Sequence, residues 1–220
     1  MAKPWLWLLA GPDGSGKSTF AASDAFVRLT RTPESPNPPV FLNPDTVSAA
    51  LRADRPELPP TQAWRMAAER TDAEVNKVVR EGKSLVVETI LSTPKFEPVV
   101  EEAKSRGYLV GLVYVILARP SVHIERIAQR VGLGGHDVAG EKVIERWVRS
   151  LGTLPWFAER ADYFSLWDNS TLGGPPKLLI ETTAQKLYVA PATTQMIRDD
   201  DTHPSLSAAL QTLTSKLAAN

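Results

Sequence analysis

Short continuous apolar runs alternate along residues 4–170 with longer stretches in which apolar residues recur at helical spacing. Continuous runs of this length are typical of buried parallel strands, and the stretches between them are typical of amphipathic helices. The repeated strand–helix order predicts an α/β fold in which a parallel sheet carries helices on both faces. Strands are predicted at 4–10, 40–43, 84–90, 108–118 and 162–170, and helices at about 17–30, 45–53, 61–81, 97–106, 121–131 and 139–151.

The segment after residue 175 follows a different pattern. Residues 176–190 predict a hairpin that turns near Ala184–Gln185, and 203–219 predicts an amphipathic helix. Residues 1–175 are accordingly expected to form the core, with 176–220 appended to the same domain as a hairpin and a helix. The apolar face of that helix consists of Leu206, Leu210, Leu213 and Leu217.

The first predicted strand leads directly into the sequence GPDGSGKST at residues 11–19. This stretch matches G-x-x-x-x-G-K-[ST], the phosphate-binding loop whose glycine-rich backbone turns its N–H groups toward phosphates. A strand before the motif and a helix after it predict a P-loop NTPase-type fold. Lys17 is expected to bridge the outer phosphates of ATP, and Ser18 is expected to ligate Mg²⁺. The residues expected to contact ATP here are Gly11, Pro12, Asp13, Gly14, Ser15, Gly16, Lys17, Ser18 and Thr19.

Composition narrows the range of partners. The 220 residues include 25 Lys and Arg against 25 Asp and Glu, and this balance argues against a broad surface for nucleic acid or anionic membrane. The absence of cysteine excludes disulfides, cysteine zinc sites and thiol catalysis. No apolar run approaches the roughly 20 residues that span a bilayer. The apolar run at 4–10 is interpreted as a strand rather than a signal peptide, so a cytoplasmic protein is expected.

The second predicted strand ends in LNPD at residues 42–45. Open α/β sheets place their binding sites at the carboxyl ends of their strands. Asp45 is therefore the candidate base that orients a substrate hydroxyl beside the γ-phosphate, with Asn43 close to the substrate. The alternative is that Asp45 caps the next helix, and the two roles can coexist.

The third predicted strand ends in Glu88 and Thr89. An acid at this position can hold Mg²⁺ through water or bind a sugar hydroxyl of the substrate. The alternative is a strand end followed by ordinary Ser and Thr turn chemistry. Hydrolytic motors carry Asp or Asp-Glu at this point together with further motifs, and those motifs are not found.

Arg126 and Arg130 are four residues apart on one predicted helix, so they share a face and repel each other. A bound polyphosphate would remove that repulsion, and both arginines are candidates for contacting ATP. The glycine-rich segment 131–138 is predicted to be a lid, and His136 within it either contacts the substrate or only caps the lid. Arg146, on the next helix, is a further candidate on the substrate side. The alternative is that these arginines are ordinary surface residues.

Other residues receive structural assignments. Trp5 and Trp7 alternate with an apolar residue and are expected in the core, whereas His123 and His203 are expected at the surface. The run Asp199–Asp201 is interpreted as a solvated segment before a helix rather than as a metal site.

These motifs together resemble the zeta toxin family of P-loop kinases, in particular its compact chromosomal branch. The resemblance covers roughly residues 4–190, and the elements that follow the phosphate loop are its most specific part. In chain order the matching segments are AGPDGSGKST, NPD, ETILS, GYLVGLVYVIL, ERIAQRVGLGGHDV, IERWVRSL and ADYFSLWDNS.

The resemblance implies a phosphotransferase that moves the γ-phosphate of ATP to a sugar hydroxyl of UDP-N-acetylglucosamine. It also implies Mg²⁺ as the metal and an antitoxin-type protein as a partner to test for. The lysine and serine of the phosphate loop match the family's positions for ATP and Mg²⁺. Asp45 matches the catalytic base, Glu88 and Thr89 match the substrate side, and Arg130 matches an ATP-contacting arginine.

Two alternatives to a nucleotide-sugar kinase remain open at this point. One is a kinase for another hydroxyl, such as a free sugar, a nucleotide ribose or a nucleic-acid end. The other is a binding or switch protein that hydrolyses ATP slowly and acts through its C-terminal appendage. A kinase is favoured because phosphoryl transfer needs positioning and charge neutralisation, and each of these has a candidate residue.

Overall fold

A computed structural model describes residues 2–31, 38–132, 139–171, 173–184 and 186–219, without the side chains of 129–132. Within these ranges seven strands form one sheet, in the spatial order β2-β3-β1-β4-β5-β6-β7. The strands are β1 (Trp5–Ala10), β2 (Val40–Leu42), β3 (Leu85–Thr89), β4 (Leu109–Ile116), β5 (Tyr163–Asp168), β6 (Lys177–Thr183) and β7 (Lys186–Val189).

The first five strands are parallel, and β1 lies between β3 and β4. The register pairs Leu9 with Glu88 and Ala10 with Thr89, so the carboxyl ends of β1 and β3 lie side by side. The predicted α/β fold is confirmed, but the sheet is mixed rather than purely parallel. The predicted C-terminal hairpin forms β6 and β7, which add to the same sheet as antiparallel strands.

Helices cover both faces of the sheet in the described ranges. They are α1 (Lys17–Ala21), α2 (Asp24–Thr30), α3 (Pro44–Asp54), α4 (Pro60–Arg80), α5 (Glu97–Ser105), α6 (Pro120–Gly132), α7 (Gly140–Arg160), α8 (Pro191–Arg198) and α9 (Pro204–Ala218), with a 3₁₀ turn at Pro94–Phe96.

The alternation of β1 divides the core between the two faces, because successive side chains of a strand point to opposite sides. Leu6 and Leu8 pack into the larger cluster, which includes buried residues of α4, α5, α7 and α9. Trp7 and Leu9 pack into a smaller cluster with α1 and α2. Trp7 is buried as predicted, and Trp5, which is partly buried, stacks against it with ring centroids 4.7 Å apart.

Two predicted helices differ from the structure, and one observed helix was not predicted. The helix expected over 17–30 is divided into α1 and α2, because Ser23 breaks the helix and its hydroxyl caps α2 by accepting from the Phe26 N–H. The helix expected to end at residue 151 continues to Arg160 with Pro155 inside it. The short helix α8 was not predicted.

The predicted amphipathic helix near the C-terminus is confirmed as α9, whose Leu206, Leu210 and Leu213 are buried. His203, predicted at the surface, also makes contacts that the prediction did not include. The residue is only partly exposed, its Nδ1 accepts from the Ser205 N–H to cap α9, and its ring meets Trp147 edge-on. No helix in the described ranges is long and apolar enough to span a bilayer.

Candidate active site

The phosphate loop follows β1 and depends on glycine at two positions. Gly11 has a φ of +142°, and a Cβ there would lie 2.1 Å from the carbonyl oxygen of Val115. Gly16 has a φ of +90°, and a Cβ there would lie 2.4 Å from Asn169 Nδ2. Any larger residue would displace the neighbouring strand or the neighbouring loop. The curled backbone that the motif predicts is thus fixed by both conformation and close packing.

Lys17 begins α1 and is largely buried in the loop. Its Nζ donates to the carbonyl oxygens of Gly11 and Pro12, at 2.8 and 3.1 Å. These bonds hold the ammonium group against the backbone of the loop. The lysine is therefore positioned where the motif expects it, beside the loop that would carry phosphates.

Glu88 links the phosphate loop to the second strand of the site. Its carboxylate accepts from the Ser18 hydroxyl at 3.2 and 3.3 Å and from Asn43 Nδ2 at 2.9 Å. Burial raises the pKa of Glu88 above its ordinary value, Lys17 and the Ser18 hydroxyl oppose that shift, and Asp45 adds to it. Four predicted site residues thus lie around one buried carboxylate.

Asn43, not Asp45, caps the helix that follows β2. The Asn43 side-chain oxygen accepts from the Asp45 N–H at 2.7 Å, and Pro44 occupies the first helical position. The alternative reading of Asp45 as the N-cap is therefore wrong. Its exposed carboxylate lines the cavity described below.

Two helices hold the phosphate loop at Asp13. Arg146 of α7 forms an ion pair with the Asp13 carboxylate at 3.0 Å, and His123 Nδ1 of α6 donates to the Asp13 carbonyl oxygen at 2.7 Å. The prediction that His123 lies at the surface is wrong, since the residue is fully buried. Burial lowers the pKa of His123 to about 4, so the ring is neutral near pH 7.

Asn169 holds the other side of the phosphate loop. Its side-chain Nδ2 donates to the Ser15 carbonyl oxygen at 2.8 Å. Its backbone carbonyl oxygen accepts from Arg126 Nη2, also at 2.8 Å. Arg126, a predicted ATP contact, is thereby fixed beside the loop. Sequence reasoning gave Asn169 no role; the available signal was its position directly after the last parallel strand.

A cavity of about 330 Å³ opens beside the loop. Trp64, Phe96 and the segment Ile90–Thr93 supply its less polar walls, and Lys95 and Arg149 also line it. The predicted site residues that line it are Asp13, Lys17, Asn43, Asp45, Glu88, Thr89 and Arg146.

The remaining predictions cannot be placed. The lid predicted at 131–138 lies outside the described residues from 133 onward, and so does His136. The backbone of Arg130 belongs to α6, but its side chain is outside the described part of the chain. Their assigned roles stay predictions.

No cluster of three or more His, Asp or Glu able to hold a metal ion occurs among the described residues. The oxygen pair of Ser18 and Glu88 could hold a cation only together with ligands from a nucleotide or from water. This arrangement is the one Mg²⁺ adopts in phosphate-binding sites, where it keeps several waters and takes few protein ligands.

Comparisons with known proteins agree with this fold. The AAA domain family model matches residues 6–154. The AvrRxo1-ORF1:-ORF2 complex with ATP has a chain that superimposes with a TM-score of 0.64 at 14% identity, covering 99% of this chain and 80% of that one. The PezAT chromosomal toxin–antitoxin system of Streptococcus pneumoniae gives 0.64 at 15% identity, covering 100% and 87%.

A third structure, the Pnkp1/Rnl/Hen1 RNA repair complex, matches with a TM-score of 0.51 at 17% identity and covers 70% of this chain and 46% of that one. No curated protein matches the sequence significantly. The family model spans more than half of the chain, and the AvrRxo1 and PezAT structures match it over nearly its whole length. The chain belongs to the AAA domain family, and its fold is that of the zeta-toxin-like P-loop kinases.

Proposed function

We propose that this protein is an ATP-dependent kinase that transfers the γ-phosphoryl group of ATP to a hydroxyl of a small molecule. The observation that carries the proposal is that Lys17 of the phosphate loop and the carboxylates of Asp45 and Glu88 line one cavity. A hydrolytic switch needs only a water at this point, whereas a cavity of about 330 Å³ has room for an acceptor molecule.

In the proposed reaction the acceptor oxygen attacks the γ-phosphorus as the bond to the β–γ bridging oxygen breaks, and ADP leaves. Asp45 accepts the proton of the acceptor hydroxyl, whose own pKa is far above 7. Lys17 offsets the negative charge of the outer phosphates. That charge shifts to the leaving β–γ bridging oxygen during the transfer. The transfer needs little covalent chemistry from the protein, so positioning and charge neutralisation are the main contributions.

Mg²⁺ fits the oxygen pair of Ser18 and Glu88. When bound, the ion would neutralise charge on the β- and γ-phosphates. The hydroxyl of Ser18 already lies 3.2 Å from the Glu88 carboxylate, so the two side chains need little rearrangement to face one cation. Asn43 supports Glu88 by donating to its other oxygen.

The arginines would complete the charge balance. Arg126 lies beside the phosphate loop, and Arg146 would leave Asp13 for a phosphate or for an anionic acceptor. Arg130 and His136 are proposed to act from the lid, where they would meet the transferring group or the acceptor only on closure. Lid arginines of this kind stabilise charge that develops in the transition state.

We further propose that the acceptor is a nucleotide sugar such as UDP-N-acetylglucosamine. The resemblance to zeta toxins and the fold shared with the PezAT system support this choice. The cavity also suits it, because Trp64 and Phe96 offer apolar surface for rings. Lys95 and Arg149, which pair with Asp72 and Glu145, would turn to the phosphates of the acceptor. The fold shared with the PezAT toxin–antitoxin system supports an antitoxin-type partner as well. A cytoplasmic location is consistent with a cysteine-free chain.

The test is incubation with γ-labelled ATP and a panel of acceptors: nucleotide sugars, free sugars, nucleotides and RNA ends. The expected result is label in a phosphorylated nucleotide sugar, at a rate well above ATP hydrolysis. Label in another product would keep the kinase but reject the acceptor. Label only in inorganic phosphate with every acceptor would reject the kinase in favour of a nucleotide-dependent switch.

A further inference from the structure

The turn that follows β3 holds a leucine in an unusual conformation. Leu91 has a φ of +59°, which among the described residues other than glycine is the one positive value. This left-handed conformation costs a branched side chain roughly 1–2 kcal/mol, and it persists only where the surroundings determine it. The turn lies directly after Glu88 and Thr89, and Ile90–Thr93 line the cavity. The strained residue is therefore part of the wall that an acceptor would meet.

Three hydrogen bonds hold this turn. The Leu91 N–H donates to Thr89 Oγ1 at 3.1 Å, and Ser150 Oγ of α7 donates to the Ile90 carbonyl oxygen at 2.6 Å. Thr153, also on α7, donates to the carbonyl oxygen of Leu91. Two successive carbonyl groups of the turn are thus satisfied by hydroxyls from a helix about 60 positions further along the chain.

Ser150 is itself held by a hydrogen bond from a residue of the sheet. It is fully buried, and its Oγ lies 2.6 Å from the hydroxyl oxygen of Tyr114 on β4. Since the single hydroxyl proton of Ser150 goes to Ile90, Tyr114 must be the donor to Ser150. Burial raises the pKa of Tyr114 far above its ordinary value, so the phenol keeps that proton. The chain of bonds therefore runs in one direction, from sheet to helix to turn.

The same stripe of α7 reaches the phosphate loop. Arg146, Ser150 and Thr153 are spaced i, i+4, i+7, so they lie on one face of the helix. Arg146 contacts Asp13 of the phosphate loop, while the two hydroxyls contact the turn. The backbone closes the connection, because the Gly11 N–H donates to the Thr89 carbonyl oxygen at 3.2 Å. One face of α7 thus fixes the position of the turn after β3 relative to the phosphate loop.

We propose that Ser150, together with Thr153, is a positioning residue for the acceptor: it holds the Ile90–Thr93 turn in the conformation that forms the acceptor wall. The inference rests on the proposed kinase function for its catalytic consequence, but not for its structural one. Neither hydroxyl touches the reacting atoms. Their effect is on where the acceptor hydroxyl lies relative to the phosphate loop, and an error of about 1 Å there can cost on the order of 100-fold in rate.

The experiment compares Ser150→Ala and Thr153→Val with a matched control, Thr193→Val. Thr193 is buried and donates to the Leu179 carbonyl oxygen at 2.7 Å, in a part of the fold away from the cavity. The control therefore removes the same kind of bond with the same substitution as Thr153→Val. Amide hydrogen exchange is measured over residues 89–93, and steady-state kinetics are measured with the best acceptor and with ATP.

Both turn variants are expected to exchange their 90–93 amides about tenfold faster than the wild type, because the turn loses an anchor. We expect kcat/KM for the acceptor to fall about 10- to 100-fold, while KM for ATP changes by no more than about twofold. Thr193→Val is expected to change neither the exchange nor the acceptor kinetics. If Ser150→Ala does not fold, Thr153→Val still tests the inference, because it removes a different hydrogen bond to the same turn.

Three results would overturn the inference: unchanged exchange over 89–93 in both turn variants, faster exchange with unchanged acceptor kcat/KM, or the same changes in Thr193→Val. A wild-type protein that phosphorylates no acceptor would instead reject the proposed function. In that case the exchange measurement still decides whether the two hydroxyls position the turn. The two failures are therefore distinguishable.

Discussion

The two walls of the cavity are built in different ways. The wall that would bind ATP comes from one continuous stretch, residues 11–19, whose backbone conformation is set by glycines and whose lysine is held by the loop itself. The acceptor wall is assembled from the ends of β2 and β3, from α4 and from α7. Phosphate is the same in every nucleotide, so a short fixed loop can recognise it. An acceptor varies, and the wall that receives it consists of side chains that can change independently.

The two walls also differ in their acidic residues. The phosphate loop has a single acid, Asp13, and Arg146 neutralises it. The acceptor wall is acidic where it meets the loop, at Asp45 and Glu88, and burial raises the pKa of Glu88. Changes in the phosphate-loop wall should therefore act on ATP binding, and so should changes at Glu88, which would share Mg²⁺ with Ser18. Changes in the rest of the acceptor wall should act on transfer alone.

The largest effect is expected from Lys17→Ala. Removing the charge beside the outer phosphates should abolish useful ATP binding and lower any residual transfer by about 10³–10⁵-fold, the scale of a charged group at a transferring phosphoryl. The fold should persist, because the Nζ donates to carbonyl oxygens of the loop and contributes no apolar surface to the core. ATP titration and thermal melting check this, with the exposed Lys83 changed to Ala as the control. Unchanged ATP affinity in a folded variant would remove Lys17 from the ATP site.

Asp45→Asn is expected to act on transfer alone. Asn cannot accept the proton, so transfer should fall by about 10²–10⁴-fold with ATP affinity nearly unchanged. Stability should change by no more than about 1 kcal/mol, because Asn43 and not Asp45 caps α3. The control is Asp54→Asn, an exposed acid at the other end of the same helix.

The measurement for Asp45 is phosphotransfer to the best acceptor beside thermal melting. If activity in Asp45→Asn merely follows the folded fraction, Asp45 is not the base and Glu88 becomes the candidate. If ATP binding falls together with transfer, Asp45 also contributes to ATP binding, and the two walls do not have separate functions.

His123 gives a pH-dependent effect on the stability of the phosphate-loop wall. Its pKa falls from 6.5 to about 4 on folding, so its contribution is fully present above about pH 6.5 and is lost as the pH falls toward 4. The loss is on the order of 3 kcal/mol, from 1.36 kcal/mol per pKa unit. His123→Asn should keep a donor for Asp13 and remove this dependence. Urea unfolding at pH 7, 6, 5 and 4 checks it; parallel stability curves for variant and wild type would contradict it.

The smallest effect is expected from Asp13→Asn, and its direction is opposite to the others. Removing the acid from the loop frees Arg146 and takes one negative charge away from the phosphates. ATP should bind about 3- to 10-fold more tightly, the scale of one charge acting through solvent-exposed surroundings. The control is Glu145→Gln. Glu145 is an exposed acid next to Arg146 on α7, and it pairs with Arg149. Weaker ATP binding in Asp13→Asn would mean that the Asp13–Arg146 pair builds the loop rather than restrains it.

Much of the fold could be predicted from residue patterns. Continuous apolar runs identified the five parallel strands, and the leucine spacing identified α9, because burial on both faces and helical periodicity are visible in sequence. The break at Ser23 and the extension of α7 through Pro155 were missed. The first is a local cap made by one serine inside a stretch that otherwise reads as helix, and the second depends on packing that overrides the local propensity of proline. Short helices such as α8 have too few residues to show a period.

Local sequence determined the phosphate-loop wall, since the glycines, Lys17 and Ser18 act within nine consecutive residues. Tertiary structure alone decided how the rest comes together. Asn169 donates to the loop from 154 positions away, His123 contacts the loop from α6, and Asn43 donates to Glu88 across 45 positions. Contacts of this kind join residues far apart in the chain, and they arise only when the sheet brings its strand ends to one edge. A sequence specifies such contacts through the whole packed fold, and no short window of it records them.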